Sequence, residues 1–245
     1  MQDINCRIEG RAGRITLNRP KALNALTWEM CLEIDKALVL WANDPSVSLL
    51  IIDGLPCDKA FCAGGDLAQM YETGRAGDYD YGRRFWQDEY RMNARLFNFP
   101  KPVVTFLHGF VMGGGVGVGC HGSHRVVCED SRIAMPECKV GLVPDVGGSL
   151  LLARAPGRLG EYLGITSTRM KPGDALHAGF ADYLHPHQIW RKRGPRSTRC
   201  SAAKPCATWS TCWSRRRATW PKKPSPRSTR TPRYQWPARW NSSIA

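Results

Sequence analysis

Apolar and polar residues alternate with a two-residue period at the start of the chain. Two β-like pieces, around Cys6-Arg7-Ile8 and from Arg14 to Leu17, meet across Gly10 to Gly13 and predict a hairpin. Asn18-Arg19-Pro20 interrupts that pattern, and the period then changes to that of a helix. Met30, Ile34, Leu38 and Trp41 fall on one face, Thr27 stands where an N-cap belongs, and Asn43-Asp44-Pro45 ends the run after Ala42. Leu49 to Asp53 is a short apolar run typical of a buried strand. The order β, α, β begins a layered α/β fold.

A glycine turn follows at Ala63-Gly64-Gly65-Asp66, and a second helix is expected from about Tyr79 to Phe97. Phe85, Met92 and Leu96 share its apolar face, and Glu89 is in register with them. A carboxylate where apolar residues are expected either contacts a substrate or pairs with a cation such as Arg125. Val103 to Leu107 is a further buried strand, and Gly113-Gly114-Gly115 opens a helix after the turn at His108-Gly109. Beyond it, Ser149 to Ala153 and Arg158 to Leu163 read as helical, with one more turn from Asp174 to Gly179.

The candidate chemistry lies between Pro100 and Gly148. Glycine lets a backbone approach a ligand, and the free N–H groups at a helix start favour negative charge. Glu137 and Asp145 follow, eight residues apart, each beside a proline in an otherwise apolar segment. Backbone donors plus two carboxylates suit a developing oxyanion with acid/base or nucleophilic chemistry beside it. His121 and His124 with Cys120 and Cys128 match no common zinc spacing, so no metal site is expected.

Charge divides the chain. Residues 186–245 carry 15 of the 35 basic residues and no acidic one, which leaves 20 basic against 21 acidic residues in 1–185. A near-neutral domain over 1–185 and a basic low-complexity tail over 186–245 are therefore expected. The tail holds six of the nine Trp but only Ile189 and Ile244 as branched aliphatic residues, too few for a core. Arg and Trp together could bind nucleic acid, yet an acid-free switch to Arg, Pro, Ser, Thr and Trp also fits an out-of-frame reading of GC-rich DNA, which is preferred here. Seven scattered Cys in 1–185 suggest reduced thiols and a cytoplasmic setting. No apolar run is long enough to span a membrane.

Leu17-Asn18-Arg19-Pro20 with Ala22-Leu23-Asn24-Ala25-Leu26, Phe61-Cys62-Ala63-Gly64-Gly65-Asp66-Leu67, Pro100-Lys101-Pro102, Gly113-Gly114-Gly115 and Met135-Pro136-Glu137 resemble, in that order, the enoyl-CoA hydratase/isomerase (crotonase) superfamily. The resemblance spans about residues 6–184 and is nearest to the 3-hydroxyisobutyryl-CoA hydrolase branch, through Ala134 to Glu137 and Gly141 to Gly148. It implies an α/β crotonase spiral of ββα units, its C-terminal helical part replaced by the irregular tail. It implies an oxyanion hole at Gly65 and Gly114, catalysis by Glu137 and Asp145, and substrate contacts from Glu89, Gly64 and Asp66. It implies an acyl-CoA substrate, coenzyme A as part of that substrate with no bound cofactor, and leaves homo-oligomers open. Hydratases of the family use two glutamates, the second at the place of Glu137 and the first at a position two residues after the triple glycine. Here that position is Gly117. The expected reaction is thus hydrolysis of a short β-hydroxyacyl-CoA thioester. The alternatives are a hydratase or isomerase of the same fold, and a truncated, inactive basic binding protein.

Overall fold

The computed structural model describes residues 3–54 and 57–186. Strands β1 (Ile4–Glu9) and β2 (Ala12–Leu17) pair antiparallel from Ile4↔Leu17 to Glu9↔Ala12. Gly10, at φ 63°, supplies the positive φ that a two-residue hairpin turn requires. Helix α1 (Trp28–Ala42) starts where its cap predicts, the Thr27 side chain accepting from the Met30 amide, and buries Met30, Ile34, Leu38 and Trp41. Strand β3 (Leu49–Asp53) then lies parallel to β2.

From β3 onward the chain repeats one circuit. After a strand in the first sheet it crosses to a short strand in a second, then runs through helix back to the first. The first circuit adds β4 (Ala60–Cys62), α2 (Leu67–Arg75) and α3 (Asp80–Phe97). The second is β5 (Val103–Leu107), β6 (Phe110–Met112) and α4 (Gly114–Gly119). The third is β7 (His124–Val127), β8 (Arg132–Ala134), a 3-10 turn at Glu137–Val140, and helices α5 (Gly148–Arg154), α6 (Leu159–Thr166) and α7 (Pro172–His177). Strand β9 (Tyr183–Leu184) closes the large sheet, ordered β1-β2-β3-β5-β7-β9, while β4-β6-β8 form the small one. Among the described residues, all pairings between named strands after the hairpin are parallel, so each return between them is a crossover. This is the expected α/β spiral of ββα units.

The corner between β5 and β6 is tight. Gly109 sits at φ +54°, and a Cβ there would strike the Lys59 carbonyl. Its N–H donates to Asp130 and its carbonyl accepts from Arg132, which ties the corner to the next circuit. Arg125 on β7 pairs with Asp182 at 2.9 and 2.8 Å and also donates to the Gly179 carbonyl. That largely buried ion pair overturns the alternative in which Arg125 neutralises Glu89: the guanidinium is committed to the segment before β9.

Helix α2 and the short strands β4, β6, β7, β8 and β9 have no counterpart in the sequence reading. The sequence reading assigns no element to the residues of α2, although Asp66 caps it by accepting from Ala68 and Gln69. Strands β6 and β8 have three residues each, too few to show a period. Apart from Pro186, the tail expected over 186–245 lies outside the described residues.

Candidate functional site

Helix α3 is the beam on which the site is built. Its apolar face buries Tyr81, Phe85, Met92 and Leu96, and that packing carries Glu89 and Asn93 into the interior as well. They lie four residues apart, one above the other. The opposing helix α4 has glycine at both contacts. A Cβ on Gly114 would come within 2.8 Å of Glu89 Oε1, and one on Gly117 within 2.9 Å of Asn93 Nδ2. The two glycines are notches that let α4 approach two polar side chains at backbone distance.

The backbone donors are set up by the same close approach. Leu26 donates to the Gly64 carbonyl and Asp66 donates to the Leu26 carbonyl, a parallel bridge that leaves the Gly65 N–H directed away from Leu26. Gly114 is the first residue of α4, so its N–H has no intrahelical acceptor. Among the described residues neither amide has a hydrogen-bond partner. They lie together: the Cβ position of Gly114 is 3.2 Å from the Gly65 nitrogen. Two free, adjacent N–H groups can hold one oxygen that is gaining negative charge. Gly64 sits at φ +117°, and a Cβ there would lie 3.3 Å from the Met112 carbonyl oxygen of β6. Asp66 is occupied structurally, capping α2 and accepting from Arg19 at 3.0 Å.

Glu137 opens the 3-10 turn after β8, and its Oε1 lies 2.6 Å from the Cβ position of Gly113. The two carboxyls thus face consecutive glycines, Glu137 over Gly113 and Glu89 over Gly114. Glu89 Oε1 and Glu137 Oε2 are buried with no hydrogen-bond partner among the described residues. Burial above all, then the charges of Asp145 and Glu137, pushes Glu89 up to about 8. Burial, aided by the Asp145 charge, pushes Glu137 up to about 7. Asp145 is half-buried and accepts a 2.6 Å hydrogen bond from the Tyr90 hydroxyl. It does not cap α5, whose N-cap is Gly147 with no side-chain bond.

The raised pKa of Glu89 makes the stability of the fold depend on pH. An unfolded glutamate loses its proton near about 4.3, whereas folded Glu89 keeps it to about 8. Between those values the unfolded state binds fewer protons, so rising pH favours unfolding. Glu89→Gln is expected to raise Tm, and by at least about 3 °C more at pH 8 than at pH 5. Thermal unfolding at the two pH values checks this. An equal shift at both would mean that Glu89 is ionised throughout.

The place of the hydratase-type glutamate absent at 117 is filled. A Cβ on Gly117 would meet Val146 Cβ at 2.8 Å as well as Asn93. Val146, Asn93, Tyr90 and His121 were not singled out as site residues from the sequence. Asn93 could have been found, since it repeats the register argument for Glu89 one turn on. Tyr90 and Asp145 are 55 positions apart, and nothing local announces their contact. Among the described residues no three potential ligands cluster to hold a metal, and no helix is long and apolar enough to cross a membrane.

Comparison with known proteins places these features in a wider set. The family model described as enoyl-CoA hydratase/isomerase matches residues 12–205. A mitochondrial 3-hydroxyisobutyryl-CoA hydrolase of Xenopus tropicalis is 48% identical over 175 residues, covering 71% of this chain and 45% of that protein. The Homo sapiens protein of the same name is 45% identical over 176 residues, covering 72% and 45%. The chain therefore spans less than half the length of these relatives. Among solved structures, an enoyl-CoA hydratase from Rhodobacter sphaeroides superposes with a TM-score of 0.75 at 53% identity, covering 82% of this chain and 62% of that one. A carnitinyl-CoA dehydratase from Mycobacterium thermoresistibile gives 0.76 at 45% identity, covering 78% and 56%.

Proposed function

The chain belongs to the enoyl-CoA hydratase/isomerase family, and from that premise we propose that it hydrolyses the thioester of a short β-hydroxyacyl-CoA, most specifically 3-hydroxyisobutyryl-CoA. The observation that carries this reading is the pair of free N–H groups at Gly65 and Gly114 beside the Glu137 carboxyl, with no carboxylate at Gly117. The thioester oxygen sits between the two amides and gains charge there as the carbonyl carbon becomes tetrahedral. Glu137 either attacks that carbon or takes a proton from the water that does. Asp145, held by Tyr90, is the second carboxylate available to exchange a proton. The products are the free hydroxy acid and the coenzyme A thiol, so coenzyme A enters as substrate and no further cofactor is required. The names of the Xenopus and human relatives support the substrate. Buried free thiols at Cys31, Cys57, Cys62, Cys120 and Cys128 suit a reducing compartment such as the cytoplasm; the names of those two relatives give the mitochondrion for them.

The name of the Rhodobacter neighbour favours a second reading, hydration of an enoyl-CoA. Adding water across a double bond in this family uses two glutamates, and Gly117 offers neither a carboxylate nor room for one. The test is an assay of both substrates. We expect thiol release from 3-hydroxyisobutyryl-CoA, and no loss of the conjugated double bond of crotonyl-CoA. The rate of thiol release should rise with pH through about 7 as Glu137 ionises. Rapid crotonyl-CoA hydration without thiol release would overturn the proposal.

A further inference from the structure

The Asp145 carboxylate reaches Tyr90 from a turn that its own sequence disfavours. Asp145 to Gly148 form a β-turn closed by the Gly148 N–H on the Asp145 carbonyl at 2.6 Å. Both central residues have positive φ, Val146 at 46° and Gly147 at 75°. Glycine, Asn or Asp is the usual occupant of the first of these positions. A β-branched residue there is an outlier that persists only where its surroundings hold it.

Two contacts hold Val146. Its side chain packs into the notch over Gly117. Its carbonyl accepts from His121 Nε2 at 2.7 Å, a contact that makes Nε2 the N–H of the imidazole. The turn wraps this ring closely, since a Cβ on Gly147 would lie 2.6 Å from Nε2. The ring is buried, its Nδ1 has no partner among the described residues, and Phe97 of α3 meets it edge-on at 5.7 Å.

We propose that His121 is a positioning residue for Asp145: its Nε2–H pins the Val146 carbonyl, fixes the left-handed turn, and so aims the Asp145 carboxylate at Tyr90 beside Glu137. This rests on the reading above, in which Asp145 takes part in the chemistry. It also explains why Gly117 and Asp145 occur together. The residue that follows Asp145 occupies the space a side chain at 117 would need.

The test uses the full chain with two readouts. One is the 13Cζ NMR signal of Tyr90, assigned with Tyr90→Phe, which reports the hydrogen bond to Asp145 without any turnover. The other is kcat and KM for thioester hydrolysis. His121→Phe keeps a flat ring but cannot donate. It should move the Tyr90 signal to its position in Asp145→Ala and lower kcat about tenfold to a hundredfold, with KM changed less than about threefold. His121→Gln, which can still donate, should restore both readouts. In a Val146→Gly background, where positive φ is unstrained, His121→Phe should cost less than about threefold. That background, together with His121→Gln, decides the matter if His121→Phe alone fails to fold. An unchanged Tyr90 signal in His121→Phe, or a His121→Gln protein as impaired as His121→Phe, overturns the proposal. If Asp145→Asn keeps the full rate, the functional reading fails instead; if Asp145→Asn is slow while His121→Phe is normal, this inference fails alone.

Discussion

Glu137→Gln is expected to lower kcat for thioester hydrolysis by at least about 10²-fold, the lower end for loss of a positioned acid/base group. The substitution keeps the shape of a side chain that is buried against Gly113 and removes only its ability to carry charge. With the carboxyl raised to about 7, a large fraction is ionised at neutral pH and can act as base or nucleophile, which an amide cannot. Burial without a partner for Oε2 makes that ionised form costly to the fold. The variant should therefore melt no lower than the parent at pH 8, so a slow rate is not a folding artefact. Its rate should also lose the rise through about pH 7. A near-normal kcat would move the chemistry to another group.

Gly114→Ala should lower kcat/KM by about 10² to 10³-fold, comparable to losing an oxyanion donor outright. The added methyl would lie 3.2 Å from the Gly65 nitrogen and 2.8 Å from Glu89 Oε1, in the space between the two donors that the thioester oxygen needs. Gly114 has no positive φ and begins a helix, so alanine suits its backbone. Gly115→Ala is the control with the opposite signature, because its methyl would strike the Cys62 backbone carbonyl and disturb folding itself. Circular dichroism and kinetics on the two variants separate the effects. A Gly114→Ala protein with normal kcat/KM would show that the oxygen binds elsewhere.

The readable parts of this chain are those whose cause is local. The hairpin, α1, α3, β3 and β5 follow from period and caps over windows of five to twenty residues, and the structure reproduces them within a residue or two. Thr27 caps α1 because its hydroxyl accepts from Met30, an interaction three residues long. Glu89 was visible as an anomaly because a charge on an apolar helix face violates the period itself.

What the sequence determined by itself was the order of the longer elements, the candidate carboxyls and glycines, and the absence of a glutamate at 117. The tertiary structure alone decided how these meet. It set α4 against α3 so that Gly114 faces Glu89 and Gly117 faces Asn93. It brought Tyr90 to Asp145 and His121 to the Val146 carbonyl, across 55 and 25 positions. It committed Arg125 to Asp182 rather than to Glu89, and Asp66 to Arg19 across 47 positions. The physical reason is that periodicity and capping act within a few turns of chain, whereas each of these contacts joins distant stretches that meet only when the circuits of the spiral close in register. Only then does a glycine become a notch, and a buried carboxyl lose the water that would have kept its pKa ordinary.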